Sequence, residues 1–150
     1  MSDFRSVTAF MMWDHDRLDA ILYEVFALVS EGLLERAGER FAGFLVGMEW
    51  HIRVEETVLF PEFEARAGVK KAPTDIARRD HASIQKALGD MKAALAVKDP
   101  RAFFVARRSF LSVLPTHHAQ EEQLLYPLID ATMTDEERHA IVARMRGGED

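Results

Sequence analysis

Laid over itself with a shift of 66 residues, the separation of His15 from His81, the chain repeats. Asp14-His15 falls on Asp80-His81, and His51, Glu55, Glu56, Leu59 and Pro61 fall on His117, Glu121, Glu122, Leu125 and Pro127. Apolar positions superimpose too: Leu18 on Ile84, Leu22 on Leu88, Val25 on Met91, Phe44 on Phe110 and Met48 on Leu114, while Phe60 meets Tyr126. Inside each unit the period is helical. Met11, His15, Leu18, Leu22, Val25 and Val29 advance by threes and fours, as do Phe41, Phe44, Met48, His51, Glu55 and Val58. Their counterparts are Ala77, His81, Ile84, Leu88, Met91, Leu95, and Phe103, Arg107, Phe110, Leu114, His117, Glu121, Leu124, Leu128.

Four amphipathic stretches predict an all-α fold: an up-down antiparallel four-helix bundle made of two repeated helical hairpins. If the seam histidines share one level of that bundle, each turn must lie midway between consecutive histidines. Gly32, Gly68 and Asp99-Pro100 stand there. Glycine suits a helix C-terminus and proline the first turn of the helix that follows. Thr134-Asp135-Glu136-Glu137 has the form of a capping box, so a short C-terminal helix carrying Ile141, Val142 and Met145 is expected. The length of 150 residues holds one core, which predicts a single domain over residues 1–150.

Composition narrows the function. An apolar share of 48% with 29% charged residues predicts a folded globular chain rather than a disordered or membrane one. A net charge of -6 without a basic cluster argues against nucleic acid as a partner. The absence of cysteine excludes thiolate metal sites, iron-sulfur clusters, disulfides and a cysteine nucleophile. The opening Met1-Ser2-Asp3-Phe4-Arg5 lacks a signal-peptide layout and no apolar run approaches membrane-spanning length, so no membrane partner and a cytoplasmic location are expected; a monomer or weak homo-oligomer is expected as well.

Six seam positions that ought to be apolar are His15, His51, Glu55, His81, His117 and Glu121. A carboxylate facing a helical core must be paired, protonated or metal-bound. Each His-x-x-x-Glu unit places an imidazole and a carboxylate one helical turn apart, aimed at the same spot, so metal coordination explains all six at once. Imidazole and carboxylate accept iron, manganese, zinc or cobalt, so the residues leave the metal open.

These motifs resemble the hemerythrin-like (HHE cation-binding) domains, which are four-helix bundles with a non-haem di-iron centre. The resemblance runs from about Phe10 to Asp130 and rests on the single histidines His15 and His81 and two copies of His-x-x-x-Glu-Glu-x-x-Leu-aromatic-Pro. It implies two Fe ions, oxo- or hydroxo-bridged, with His15 and His51 on one, His81 and His117 on the other, and Glu55 and Glu121 bridging. It also implies a small diatomic or peroxide ligand: binding of O2, NO or a similar molecule for sensing, storage or stress response. An alternative is a di-iron oxidoreductase that reduces peroxide or nitric oxide or repairs iron centres, and whether the chain is an enzyme stays open. Oxygen-carrying members use a fifth histidine one turn after the third-helix ligand, where this chain has Gln85, and Asp19 stands at the equivalent place in the first unit. A histidine at position 85 is therefore expected to reach the metal of His81.

Other residues carry weaker expectations. His118, Glu122, Ile52 and Glu56 lie one step off the seam and read as flanking groups or as supports behind the ligands, while Asp14, Asp80, Asp19 and Gln85 suit either hydrogen bonding to ligand histidines or an ordinary polar helix face. Trp13, Trp50 and Tyr126 read first as packing residues, with lining a ligand pocket or being oxidised from it as the alternative; Pro61 and Pro127 should kink or end their helices, and Pro115 should either distort the fourth helix just before His117 or sit there as a tolerated kink. Stripping metal should leave Glu55 and Glu121 facing each other uncompensated. Metal analysis of the isolated protein should find about two ions per chain, because two equivalent units sharing two carboxylates suit a dinuclear centre; a value near one contradicts this. Acidification through about pH 6.5 should release the ions as protons compete for the imidazoles.

Overall fold

In the computed structural model, which describes residues 4–68 and 73–147, all regular structure among the described residues is helical. Helix α1 (Val7–Ser30) starts at Ser6, whose hydroxyl accepts the Ala9 N–H at 3.0 Å. It stops at Gly32, which sits at φ 78°, so that the Gly32 and Leu33 N–H groups return to the carbonyls of Val29 and Leu28. Glycine takes that left-handed conformation without a Cβ penalty. Helix α2 (Leu34–Val54) runs into a π-helical turn (Glu55–Leu59) and then α3 (Phe60–Ala67), which ends on Gly68 at φ 70°.

The second unit copies the first. Helix α4 (Thr74–Ala96) closes with the same double return of N–H groups, Lys98 to Leu95 and Asp99 to Ala94, but here the left-handed position is Lys98 at φ 55°. Asp99 then caps α5 (Pro100–Leu111) by accepting the Ala102 N–H at 3.0 Å, with Pro100 in the first turn as the sequence suggests. Of the two outcomes open for Pro115, the structure shows the distortion: α6 (Leu114–Gln120) restarts beyond Ser112 and Val113. A second π turn (Glu121–Leu125) and α7 (Tyr126–Ala131) follow.

Pro61 and Pro127 do not end their helices, which corrects one of the two outcomes expected for them. A proline in an α-helix clashes with the carbonyl four residues back. Here the preceding turn is widened instead, so that the Phe60 N–H reaches Glu55 and the Tyr126 N–H reaches Glu121, five residues back.

The capping box of α8 (Asp135–Gly147) is present in both directions: Thr134 N–H to Glu137 at 2.9 Å and Glu137 N–H to Thr134 at 3.2 Å. Helix α1 packs chiefly on α2, and α4 on α5, with α2 against α4 joining the units into a helical bundle; α8 packs on α1 and the first π turn. Buried side chains form two apolar clusters. One, towards Gly32 and Lys98, centres on Phe41, Phe44, Phe103 and Phe110; the other, at the opposite end, centres on Phe10, Phe60, Phe63 and Tyr126 with Ile141, Val142 and Met145 of α8. The six polar seam residues lie between them.

Lys98→Gly should raise stability by about 0.5–1 kcal/mol, since the left-handed strain of a lysine exceeds the added backbone entropy of glycine. The denaturant midpoint reads this, and an unchanged or lower midpoint contradicts it.

Candidate metal centre

All six polar seam residues are buried to 3% relative exposure or less and meet in one layer. The first π turn sets Glu55 between two imidazoles, with its Oε1 3.2 Å from His51 Nε2 and 3.3 Å from His81 Nε2. The second places Glu121 Oε1 3.2 Å from His117 Nε2 and 3.4 Å from His15 Nε2. His15 and His51 approach each other through their Nε2 atoms at 3.1 Å. Every Nε2 therefore points inward.

Every Nδ1 is held from behind by a further carboxylate. His51 donates to Asp14 at 2.7 Å and its repeat partner His117 to Asp80 at 3.1 Å; His15 donates to Glu122 at 2.7 Å and His81 to Glu56 at 2.7 Å. Ionised carboxylates only accept, so the proton sits on Nδ1 and a neutral imidazole keeps its Nε2 lone pair for a cation. The two adjacent glutamates of each π turn grip one histidine from both sides: Glu55 and Glu56 meet His81, and Glu121 and Glu122 meet His15. The widened turn presents consecutive residues to one ring, where a regular helix would point them about 100° apart.

Sequence reasoning left Glu56 and Glu122 open between a flanking place and one behind the ligands, and Asp14 and Asp80 between hydrogen bonding to the histidines and a polar helix face; the structure puts all four behind the imidazoles, and the signal was the Glu-Glu doublet in both motifs and the Asp-His pair in both units. Of the two readings open for Tyr126, the structure favours the one at the site. Its hydroxyl donates to Glu55 Oε2 at 2.9 Å and lies 3.3 Å from His15 Nε2, whereas its repeat partner Phe60 stacks on His81. Gln85 is exposed in a surface groove with Glu49, Gly89 and Lys92, away from the layer. The extra imidazole beside the layer is His118, stacked on His15 with ring centroids 3.6 Å apart.

Two sets of donors can hold a metal ion: Glu55, His81, His117 and Glu121, and His15, His118 and Glu121. Glu55 Oε1, His81 Nε2 and both Glu121 carboxylate oxygens are buried without a hydrogen-bond partner, so the inward faces fit a cation.

Protons serve that role in the metal-free protein. Burial alone would lower His51, but Glu55 and Asp14 outweigh it and raise it to about 10. Against the same burial, Glu121 raises His117 to about 9, and Glu55 raises His81. Burial would raise Glu55, yet the His51 charge holds its carboxyl well below the usual range. The carboxylates are thus not left uncompensated when metal is absent, because protonated imidazoles face them. Burial, with the His15 charge beside it, pushes His118 the other way, down to about 2.

These shifts fix the sign of the pH dependence without metal. Stabilisation from His51 and His117 is complete below the ordinary histidine value of 6.5 and disappears as pH rises through about 9 and 10. His118, whose folded value is depressed, removes stability as pH falls below 6.5. The metal-free protein should be most stable near pH 6.5 and weaken on both sides, and metal loading should abolish the alkaline decline. Urea midpoints across pH, with and without metal, test this; a metal-free midpoint that rises towards pH 10 contradicts it.

Comparison with known proteins agrees with this layer. The hemerythrin HHE cation binding domain model matches residues 6–111, which takes in His15, His51, Glu55 and His81; the match ends before His117 and Glu121, which the internal repeat supplies. No curated protein and no solved structure matches the chain. With more than half its length matched, the chain belongs to the hemerythrin HHE cation-binding domain family.

Proposed function

We propose that this chain is a non-haem di-iron protein of one domain, residues 1–150, that binds O2, NO or a similar small ligand for sensing, storage or stress response. The observation that carries the reading is the inward face of the buried layer, where carboxylate oxygens without hydrogen-bond donors lie among imidazoles fixed from behind. In this reading His15, His51, His81 and His117 supply nitrogens and Glu55 and Glu121 bridge, with the rods in up-down order. A pair of iron ions would supply ligand binding and electron exchange; zinc or manganese would fit the same donors without the same redox behaviour. Asp14, Asp80, Glu56 and Glu122 hold the imidazoles in the binding tautomer, and the apolar clusters at both ends keep water away. No described helix is long and apolar enough to cross a membrane.

A di-iron oxidoreductase is the second reading, and Tyr126 favours it. A phenol donating to Glu55 beside His15 is a proton source next to the centre, which simple ligand uptake does not require. Metal analysis of the isolated protein, with optical spectra before and after O2, NO and peroxide, separates the two. Spectral change without consumption supports the binding protein. Consumption of peroxide or NO that Tyr126→Phe abolishes, with ligand binding intact, supports the enzyme, and spectra indifferent to all three overturn both.

Asp14→Asn should weaken metal binding about 10- to 100-fold, because an amide no longer holds the His51 proton on Nδ1 with a full charge. Competition with a chelator measures this, and unchanged affinity contradicts the role given to Asp14.

A further inference from the structure

On the side of the bundle where α2 meets α4, the chain leaves an open groove of about 410 Å³. Its floor is apolar, made by Leu45, Met48, Ile52 and Leu88, and its two rims carry opposite charges, Glu49 on α2 and Lys92 on α4. Both are exposed, and neither forms an ion pair among the described residues, whereas Lys86 and Asp90 of α4 pair with each other at 3.3 Å. Val46, one turn before Glu49 on the same side of α2, is 70% exposed.

Gly89 lies on the α4 rim of the groove, in the interior of a regular helix. Glycine there lowers helix stability, and the chain itself does not require it: a Cβ at position 89 would meet no atom within 4 Å. The room it leaves is on the outside, where it admits the close approach of another surface. The repeat does not account for these residues. The counterparts of Glu49, Gly89 and Lys92 are Pro115, Tyr23 and Phe26, and Arg107 lies over Phe26 at 5.0 Å, so the equivalent positions of the other unit are bulky and hold no matching acid and base.

We propose that the α2–α4 face joins two copies of the chain in a two-fold dimer, with Glu49 of each copy against Lys92 of the other. An axis that lies in the plane of the face and crosses the line from Glu49 to Lys92 at its midpoint exchanges the two positions, so two ion pairs form at once. The same rotation carries Val46 of each copy towards the apolar groove of the other, beside the space that Gly89 leaves. A wholly acidic or wholly basic partner would satisfy one rim and oppose the other, whereas a face with one acid, one base and an apolar centre is its own complement. Helices of 21 and 23 residues are about 30 Å long, and two of them side by side offer about 600 Å² per copy, close to the lower limit for a specific interface. The dimer is therefore weak and sensitive to salt.

Sedimentation equilibrium of the full chain, from micromolar to millimolar concentration, tests this, with helix content and metal content measured on every sample. The unmodified protein should pass from monomer to dimer, and added sodium chloride should weaken the dimer several-fold. Glu49→Lys and Lys92→Glu each replace two ion pairs by two like-charge contacts, and each should weaken self-association by about 10-fold or more. Mixed in equal amounts, these two variants have complementary rims and should associate with each other to within about 3-fold of the unmodified affinity, as should the chain that carries both changes with itself. Gly89→Tyr puts the side chain of the repeat counterpart into open space; it should abolish the dimer while leaving the thermal midpoint of the monomer unchanged or higher. A monomer at every concentration or an assembly larger than a dimer overturns the proposal. So does a dimer that neither charge reversal weakens, or a mixture of the two variants that stays monomeric.

Discussion

Two carboxylates, Glu55 and Glu121, are almost fully buried in the middle of a helical core, and the rest of the molecule is arranged around that cost. An ionised carboxylate removed from water is tolerated only with close positive partners or donors. Four imidazoles provide the inner ring, and four further carboxylates hold those imidazoles from behind. The layer is therefore two concentric rings of alternating demand, sandwiched between apolar clusters that keep its interactions strong by excluding water.

The two π turns are the local devices that make this geometry possible. In each, a proline six residues beyond the buried glutamate would clash with the helix behind it, and the chain relieves the clash by widening one turn. The widening lets Glu55 and Glu56 address the same histidine, and Glu121 and Glu122 likewise. A feature usually read as a helix breaker thus sets the aim of the buried acids.

The near-symmetry of the repeat ends where the units meet different surroundings. Helix α8 exists once and covers one side; Tyr126 and His118 stand where the first unit has Phe60 and Ile52. A duplicated scaffold that diverges at three such places keeps its metal-binding layer while making its two sides chemically different.

The helices, their turns at Gly32, Gly68 and Pro100, the capping box at Thr134 and the gathering of the six polar seam residues were legible in the sequence, because each rests on local rules: helical period, backbone conformation of glycine and proline, and the cost of a charge on an apolar face. The break before Pro115 was legible for the same reason. What tertiary structure alone decided is which groups meet across helices. That Glu122 rather than Asp19 serves His15, that Gln85 faces outward, that His118 stacks on His15 and that one side of the layer keeps a cavity all depend on rotations of whole helices and on where α8 lies. Periodicity places a residue on a face to within about one position, or 100° of helix rotation, and whether a side chain reaches a metal layer or water is decided by less than that.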